Sequence, residues 1–210
     1  LQDVQPAVWQ RIEVPGTYSF WDLHVALTDV FGWWDSHLHE WNVPNPETGA
    51  MDRQGIWDED DPEITMDWEV DIAARFLPGK VVQVIHQYDF GDGWVHLVEF
   101  EGAHPKEKGV AYPRCLEGEN ACPPDDCGGP WGYEELLEIL DDPTHEEYAD
   151  RLEWLGSMKG IDGKKFDPRH FDPAEVHFDD PEKRWQVAFN DKAMTPDMRM
   201  YEIFRRMGME

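Results

Sequence analysis

Apolar residues alternate with polar ones most clearly over residues 80–101, in the stretch KVVQVIHQYDFGDGWVHLVEFE. Two β-branched, apolar runs flank the pair Asp92-Gly93, which is typical of the two-residue type I′ turn of a β-hairpin. A shorter alternating stretch over residues 36–43, SHLHEWNV, predicts another strand, and residues 4–15 predict the first one. The pattern therefore predicts an antiparallel sheet.

Helical spacing replaces alternation in the stretch SFWDLHVALTDVFGW. Ser19 is placed to cap this helix, Asp22 completes a capping box, and Gly32 is placed to end the helix. His24 lies inside it, and its simplest interpretation is an exposed or half-buried side chain without a role. Further helices are predicted over residues 70–77, 132–142, 144–156, 179–189 and 195–208.

Strands and helices are mixed along the chain, which predicts an α+β fold. We expect an antiparallel sheet, with the hairpin at residues 80–101, packed against helices, plus a helical C-terminal extension. The predicted division is an α+β domain over residues 1–178 and the extension over residues 179–210. Residues 44–62 are rich in turn formers and acidic side chains, so they predict a loop or surface insertion.

The predicted hairpin turn brings a carboxylate and an imidazole together. With a two-residue Asp-Gly loop, Asp89 lies directly opposite His96, and opposed side chains on one sheet face have Cβ atoms about 5 Å apart. Moving the loop by one residue breaks this pairing, so the prediction depends on the register.

Histidines of the strand over residues 36–43 enlarge this candidate site. If that strand lies beside the hairpin, His37 and His39 converge with the Asp89–His96 pair. Two histidines and a carboxylate can hold a divalent metal, and a His–Asp pair can orient a general base, with Asp92 as a nearby acceptor. The competing interpretation is a structural network in which Asp89 fixes the tautomer of His96. The network is favoured, because buried polar groups need partners whether or not they catalyse.

All three cysteines lie in one loop rich in proline and glycine, CLEGENACPPDDCGGP. Cys115, Cys122 and Cys127 are candidate ligands of a zinc site. A structural zinc site needs four ligands, so the fourth would come from elsewhere, such as His104 or His145. Because of this missing ligand, the favoured interpretation is that the thiols are small packing residues.

The same loop carries two adjacent carboxylates, Asp125 and Asp126. An anion is favoured at a helix N-terminus, so both are predicted to cap the helix that begins near Gly132. No metal or catalytic role is predicted for either.

Acidic residues outnumber basic ones by 45 to 18, which gives a formal net charge of −27. DNA binding depends on Lys and Arg side chains that neutralise phosphates, so the composition argues against nucleic acid as a partner. A solvated acidic surface is the simplest explanation, and the alternatives are cation binding, mimicry of nucleic acid and docking to a basic partner. The apolar side of the predicted helix over residues 195–208 suggests a protein partner there.

The expected location is the cytoplasm, without membrane contact. No apolar run approaches the roughly 20 residues that cross a bilayer, and the N-terminal residues show no secretory signal pattern. An odd number of cysteines in such a setting indicates free thiols or a metal.

Several stretches together resemble one known family. FGWWDSHLHEW, YDFGDGWVH and YPRCLEGENACPPDDCGGPWGYEELLEIL occur in that order, followed by HEEYADRLEWLG and FDPRHFD. From about residue 4 to about residue 178 they resemble the plasmid pRiA4b ORF-3-like proteins. The resemblance implies an α+β domain and no assigned reaction. Some members carry a transposon resolvase label, but this chain lacks the nucleophilic serine among arginines that a serine recombinase needs.

Two classes of function stay open at this point. The preferred one is a non-catalytic binding or accessory module, in which the polar cluster stabilises the fold and an acidic surface meets a partner. The alternative is a metal-dependent, hydrolase-like enzyme that uses the His/Asp cluster on the sheet, with zinc or another divalent metal as its cofactor.

Overall fold

A computed structural model of the chain describes residues 1–56 and 63–189. Within them the chain forms seven strands: β1 Trp9–Glu13, β2 His39–Pro44, β3 Met51–Gly55, β4 Thr65–Met66, β5 Gln83–Tyr88, β6 Trp94–Glu99 and β7 Arg114–Glu119. It also forms five α-helices: α1 Phe20–Phe31, α2 Ile72–Phe76, α3 Gly129–Asp141, α4 Tyr148–Ser157 and α5 Pro181–Phe189. The predicted α+β class is confirmed. The predicted helix and partner surface over residues 195–208 lie outside the described residues.

The main sheet has the order β4-β3-β2-β5-β6, and β1 pairs with β7 in a separate two-stranded sheet. All pairs are antiparallel except β3 with β4. The prediction of a loop over residues 44–62 is wrong for β3, which lies within that range and pairs with β2. Its sequence, MDRQG, shows no apolar alternation, because most of this strand lies near the sheet edge and is not buried.

Helix α1 covers one face of the main sheet. Ser19 and Asp22 form the predicted capping box, and Gly32 ends the helix with a φ of 73°. The interpretation of His24 as exposed or half-buried is wrong, since this side chain is fully buried. The physical reason is that α1 contacts both α5 and the main sheet, where the His24 ring meets His39 of β2 and His86 of β5, so nearly all of its residues are buried.

The hairpin forms where the sequence predicts it, with a different register. Its loop spans the five residues 89–93, so His96 lies opposite His86. The predicted pairing of Asp89 with His96 is therefore wrong. Asp89 leaves the strand with a left-handed φ of 53°, and its Oδ1 accepts a hydrogen bond from the backbone N–H of Gly91 at 2.9 Å. This side-chain bond supports a longer turn than the Asp-Gly pair suggests.

Helix α5 packs directly on α1. The rings of Trp21 and Phe189 lie 5.3 Å apart, and Arg184 Nη2 lies 2.6 Å from Asp29 Oδ1. The predicted division of the chain after residue 178 stays a prediction. Among the described residues, no helix is long and apolar enough to cross a membrane.

Candidate functional site

Three side chains from distant parts of the sequence meet at one end of the main sheet. His37 precedes β2 and Asp89 follows β5, and these ends are adjacent because His39 pairs with Tyr88 in the antiparallel ladder. Asp126 comes from the loop before α3, 89 positions from His37. Each of the three residues offers one ligand atom, and these atoms all lie within 4.8 Å of one another. We call this group the His37 cluster.

Distances within the His37 cluster are short. His37 Nε2 lies 2.9 Å from Asp126 Oδ1 and 3.6 Å from Asp89 Oδ2. The side chains of His37 and Asp126 are partly exposed, at 29% and 45%, whereas that of Asp89 is 11% exposed. The cluster is therefore accessible to solvent on one side and backed by protein on the other.

The hairpin loop and the loop before α3 are tied to each other. Asp92 Oδ2 accepts a hydrogen bond from the backbone N–H of Gly128 at 3.0 Å. Gly129 approaches the carbonyl of Asp92 so closely that a Cβ atom at position 129 would lie 2.2 Å from that oxygen. These contacts hold the loops of Asp89 and Asp126 near each other. Asp92 therefore joins the two loops and is not itself a member of the His37 cluster.

Asp125 lies behind the His37 cluster and is 3% exposed. Its Oδ2 accepts a hydrogen bond from the backbone N–H of Trp34 at 2.9 Å, whereas its Oδ1 is buried without a hydrogen-bond partner. Burial, with smaller contributions from the charges of Asp126 and Asp89, raises the pKa of Asp125 to about 6. A buried carboxyl group with an unpaired oxygen is costly unless a ligand or a proton satisfies it.

Of the predicted site residues, the structure brings His37 and Asp89 together and separates His39 and His96 from them. Asp125 and Asp126 were predicted as helix caps, but the N-cap of α3 is Gly128 and no side chain caps this helix. Only their adjacency in a proline- and glycine-rich loop marks them in the sequence. No periodicity could have shown that this loop reaches the hairpin.

A separate network of buried histidines lies beneath α1. His24 Nδ1 lies 3.0 Å from His86 Nε2, and His86 Nδ1 lies 3.1 Å from His96 Nδ1. At the other end, His24 Nε2 lies 2.7 Å from Asp35 Oδ1. These residues lie between two apolar clusters, since His86 contacts Trp41 of one cluster and His96 contacts the core around Phe31 in the other.

His39 belongs to this buried region and not to the His37 cluster. Its ring stacks on that of His24 with centroids 3.4 Å apart, and its Nε2 lies 2.6 Å from Asp67 Oδ2. Both His39 and Asp67 are almost completely buried. The predicted convergence of His37 with His39 fails because β2 begins at His39. His37 precedes the strand, so the rule that residues two apart share one face of a strand does not apply to this pair.

The hydrogen bonds of the network have one consistent direction. Burial would raise the pKa of Asp35, but His24 and Arg184 outweigh it and lower the pKa to about 2, so the carboxylate accepts from His24 Nε2. Burial lowers the pKa of His24, of His86 and, to about 3, of His96, so these rings are neutral at pH 7. His24 Nδ1 then accepts from His86 Nε2, and His86 Nδ1 accepts from His96 Nδ1. The network is a structural chain of neutral imidazoles.

The family model for the plasmid pRiA4b ORF-3-like protein matches residues 1–175. The chain belongs to this family. Among its relatives, the uncharacterized protein y4hQ of Sinorhizobium fredii (strain NBRC 101917 / NGR234) is 37% identical over 157 residues, which cover 75% of this chain and 78% of that protein.

A solved structure supports the same assignment. MM3350 from Methanosarcina mazei Go1, described as a protein of unknown function, is 40% identical and superimposes with a TM-score of 0.74. The match covers 83% of this chain and 92% of that chain. His37, Asp89 and Asp126 lie within the residues that match the plasmid pRiA4b ORF-3-like family, whereas α5 lies beyond them.

The three cysteines of this family member are free thiols, and Cys115 lies in β7 instead of in a loop. Each sulfur faces a different backbone carbonyl oxygen at 3.8 to 4.0 Å. Burial raises the pKa of Cys115 to about 11 and that of Cys127 to about 12, and it also raises the pKa of Cys122. Zinc binds the thiolate, so this environment gives no support to the predicted zinc site, which stays a prediction.

Proposed function

We propose that this protein is a binding module for a divalent cation, which is held by His37, Asp89 and Asp126. The observation that carries the proposal is the convergence of one imidazole nitrogen and two carboxylate oxygens within 4.8 Å. The unpaired Oδ1 of Asp125 supports it, because this buried oxygen lies in the electrostatic neighbourhood of all three residues.

The donor set favours a first-row divalent cation such as Mn²⁺ or Zn²⁺. Imidazole suits zinc and iron, carboxylates suit manganese and magnesium, and a mixed set accommodates the metals between these extremes. Atoms bound to one cation at about 2.1 Å lie about 3–4 Å from one another, so small side-chain rotations would complete the site. The cation would replace the hydrogen bond between His37 and Asp126.

Binding without catalysis is favoured over a metal-dependent hydrolase. The hydrolase-like alternative uses His39 and His96 together with His37 and Asp89, but His39 and His96 are each 3% exposed and hydrogen-bond inside the buried network. They therefore offer no general base at the cation. Three protein ligands leave open coordination positions, and we infer that a water molecule or a group of a partner fills them.

The acidic composition fits this role, because a net charge of −27 concentrates cations near the surface and favours a basic protein partner. As part of the proposal we place the protein in the cytoplasm. The support is three unpaired cysteines, which are typical of a reducing compartment.

Calorimetric titration of the full chain with MnCl₂ tests the proposal, since manganese avoids the soft thiols that would bind zinc elsewhere. We expect one Mn²⁺ per chain, and the His37→Gln variant should bind at least about tenfold more weakly. His170→Gln is the matched control, because His170 is an exposed histidine that also pairs with a carboxylate. Absence of binding by the wild type, or equal binding by His37→Gln, would refute the proposal.

Zinc content distinguishes the two candidate metal centres. If the purified protein holds zinc that is lost in Cys115→Ser and retained in His37→Gln, the metal belongs to the cysteine residues and the His37 cluster is not the centre. The opposite pattern supports the cluster.

A further inference from the structure

We propose that Arg184 of α5 positions His37, so that the docking of α5 on α1 sets the affinity of the cation site. This inference rests on the proposed function. Arg184 touches none of the three candidate ligands in the contacts described, so it is a positioning residue that acts through Asp35.

His37 lies in a segment without regular secondary structure, over residues 33–38. Backbone hydrogen bonds to neighbouring elements fix this segment at several points. The N–H of Trp34 donates to Asp125, the N–H of Ser36 donates to Tyr88 Oη at 3.2 Å, and the carbonyl of Leu38 accepts from Asp89 at 3.0 Å. His37 therefore keeps its position only while this segment does.

Asp35 is the side-chain anchor of the same segment. Its backbone has a left-handed φ of 60°, and its carboxylate is 8% exposed. Oδ1 accepts from His24 Nε2 at 2.7 Å, and Oδ2 lies 3.2 Å from Arg184 Nη1. A carboxylate buried to this degree stays in place only when it is paired and hydrogen-bonded.

Arg184 supplies the positive charge that keeps Asp35 inside. Burial lowers the pKa of His24, so at pH 7 this ring donates a hydrogen bond but carries no charge. Arg184 also pairs with Asp29 at 2.6 Å, and its own side chain is only 16% exposed. Without Arg184, the described contacts leave Asp35 with a neutral donor alone. Asp35 would then move toward solvent to become hydrated, and residues 33–38 would move with it. Because Asp35 is two residues before His37, the His37 side chain would be displaced as well.

Arg184 lies outside the residues that match the family model, because the match ends at residue 175 and α5 begins at Pro181, whereas its partner Asp35 lies inside the match. The cation site itself lies within the match. We therefore infer that a helix beyond the family match tunes a site inside the match.

Two variants test the inference against a matched control. Arg184→Met removes the guanidinium group and its charge and keeps an unbranched apolar stem, and Asp35→Asn removes the partner charge with little change in shape. Lys183→Met makes the same change of charge at the adjacent position, where the side chain is 80% exposed. The readouts are the affinity for Mn²⁺ by calorimetry and the visible absorption spectrum of bound Co²⁺, at a temperature at which circular dichroism shows each variant folded.

We expect Arg184→Met and Asp35→Asn each to weaken Mn²⁺ binding about tenfold and to alter the Co²⁺ spectrum, while Lys183→Met leaves both unchanged. If Arg184→Met does not fold, Asp35→Asn decides the matter. If the wild type binds Mn²⁺ and the folded variants show the same affinity and the same Co²⁺ spectrum, the inference is overturned. Failure of the wild type to bind any cation would instead overturn the proposed function, so the two failures are distinguishable.

Discussion

The neutral state of the buried histidines makes stability depend on pH at the scale of single residues. Burial lowers the pKa of His96 to about 3, whereas an imidazole in an unfolded chain has a pKa of about 6.5. Between these values the unfolded state binds more protons, so the free energy of unfolding falls as the pH falls below about 6.5. For His96 alone the loss at pH 5 is about 2 kcal/mol.

Replacement of His96 by phenylalanine isolates this contribution. The ring centroid of His96 lies 4.7 Å from that of Phe31 and 5.3 Å from that of Trp33, so an aromatic side chain fits the position. We expect His96→Phe to be less stable than the wild type at pH 7, because His86 Nδ1 loses its donor. Between pH 7 and pH 5, the free energy of unfolding of His96→Phe should fall by about 2 kcal/mol less than that of the wild type. Urea unfolding at both pH values measures this.

The comparison between variants is needed because another group acts in the opposite direction. The pKa of Asp125 is raised to about 6, so as the pH falls the folded state binds a proton there before the unfolded state does. This group therefore increases the free energy of unfolding as the pH falls. His170→Phe is the control, since His170 is 60% exposed. An equal loss between pH 7 and pH 5 in His96→Phe and the wild type would contradict the account of the network.

At this scale the sequence predicted two of the three cluster residues, His37 and Asp89, but for a partly wrong reason. It placed Asp89 opposite His96, whereas the ladder pairs His96 with His86. The burial of His86 was readable from the alternation of Val84, His86 and Tyr88. The contribution of Asp126 was not, because loop-to-loop contacts leave no periodic pattern.

At the scale of elements, the junction between the hairpin loop and α3 depends on one glycine. Gly129 has a φ of +72°, and a Cβ atom there would lie 2.2 Å from the carbonyl oxygen of Asp92. We expect Gly129→Ala to lower the free energy of unfolding by at least about 2 kcal/mol, through backbone strain and displacement of the loop. Gly16→Ala, where an added Cβ meets nothing within 4 Å, should change it by less than about 0.5 kcal/mol. Equal effects of the two variants in chemical denaturation would show that the contact is not tight.

The packing of α5 predicts where the chain can be shortened. A chain of residues 1–178 lacks Arg184 and leaves Asp29 and Asp35 buried without their ion pair, whereas a chain of residues 1–189 keeps it. Loss of one partner of a buried pair costs about 3 kcal/mol or more, so the shorter chain should melt about 10 °C below the longer one. Calorimetric melting of both chains measures the difference. Equal melting temperatures would mean that α5 contributes nothing to the stability of the domain.

Elements with strong local signals could be predicted from the sequence, and elements defined by their partners could not. The capping box and glycine stop of α1 act within a few residues, so that helix was predicted with its termini. The loop of the hairpin was predicted too short, because the hydrogen bond that the Gly91 N–H donates to Asp89 Oδ1 competes with the Asp-Gly turn. Strands β3 and β7 carry mostly polar residues, so the sequence does not show them as strands. Only the structure does, through the pairing of β3 with β2 and of β7 with β1.

For the whole molecule, the acidic composition and the fold agree on the kind of ligand. A net charge of −27 fits the proposed cation better than it fits the phosphates of nucleic acid. In the part of the chain that the structure describes, His37, Asp89 and Asp126 bring ligand atoms within 4.8 Å of one another. Protein y4hQ is described as uncharacterized and MM3350 as of unknown function, so the cluster, and not the kinship, supports the proposal.

Anomalous diffraction from crystals of the full chain grown with MnCl₂ tests the central claim most directly. The account predicts one strong anomalous peak about 2.1–2.2 Å from His37 Nε2 and from one carboxylate oxygen each of Asp89 and Asp126. An absence of such a peak in a structure where these side chains are ordered and free of crystal contacts, or a peak bound by the cysteines instead, would contradict it.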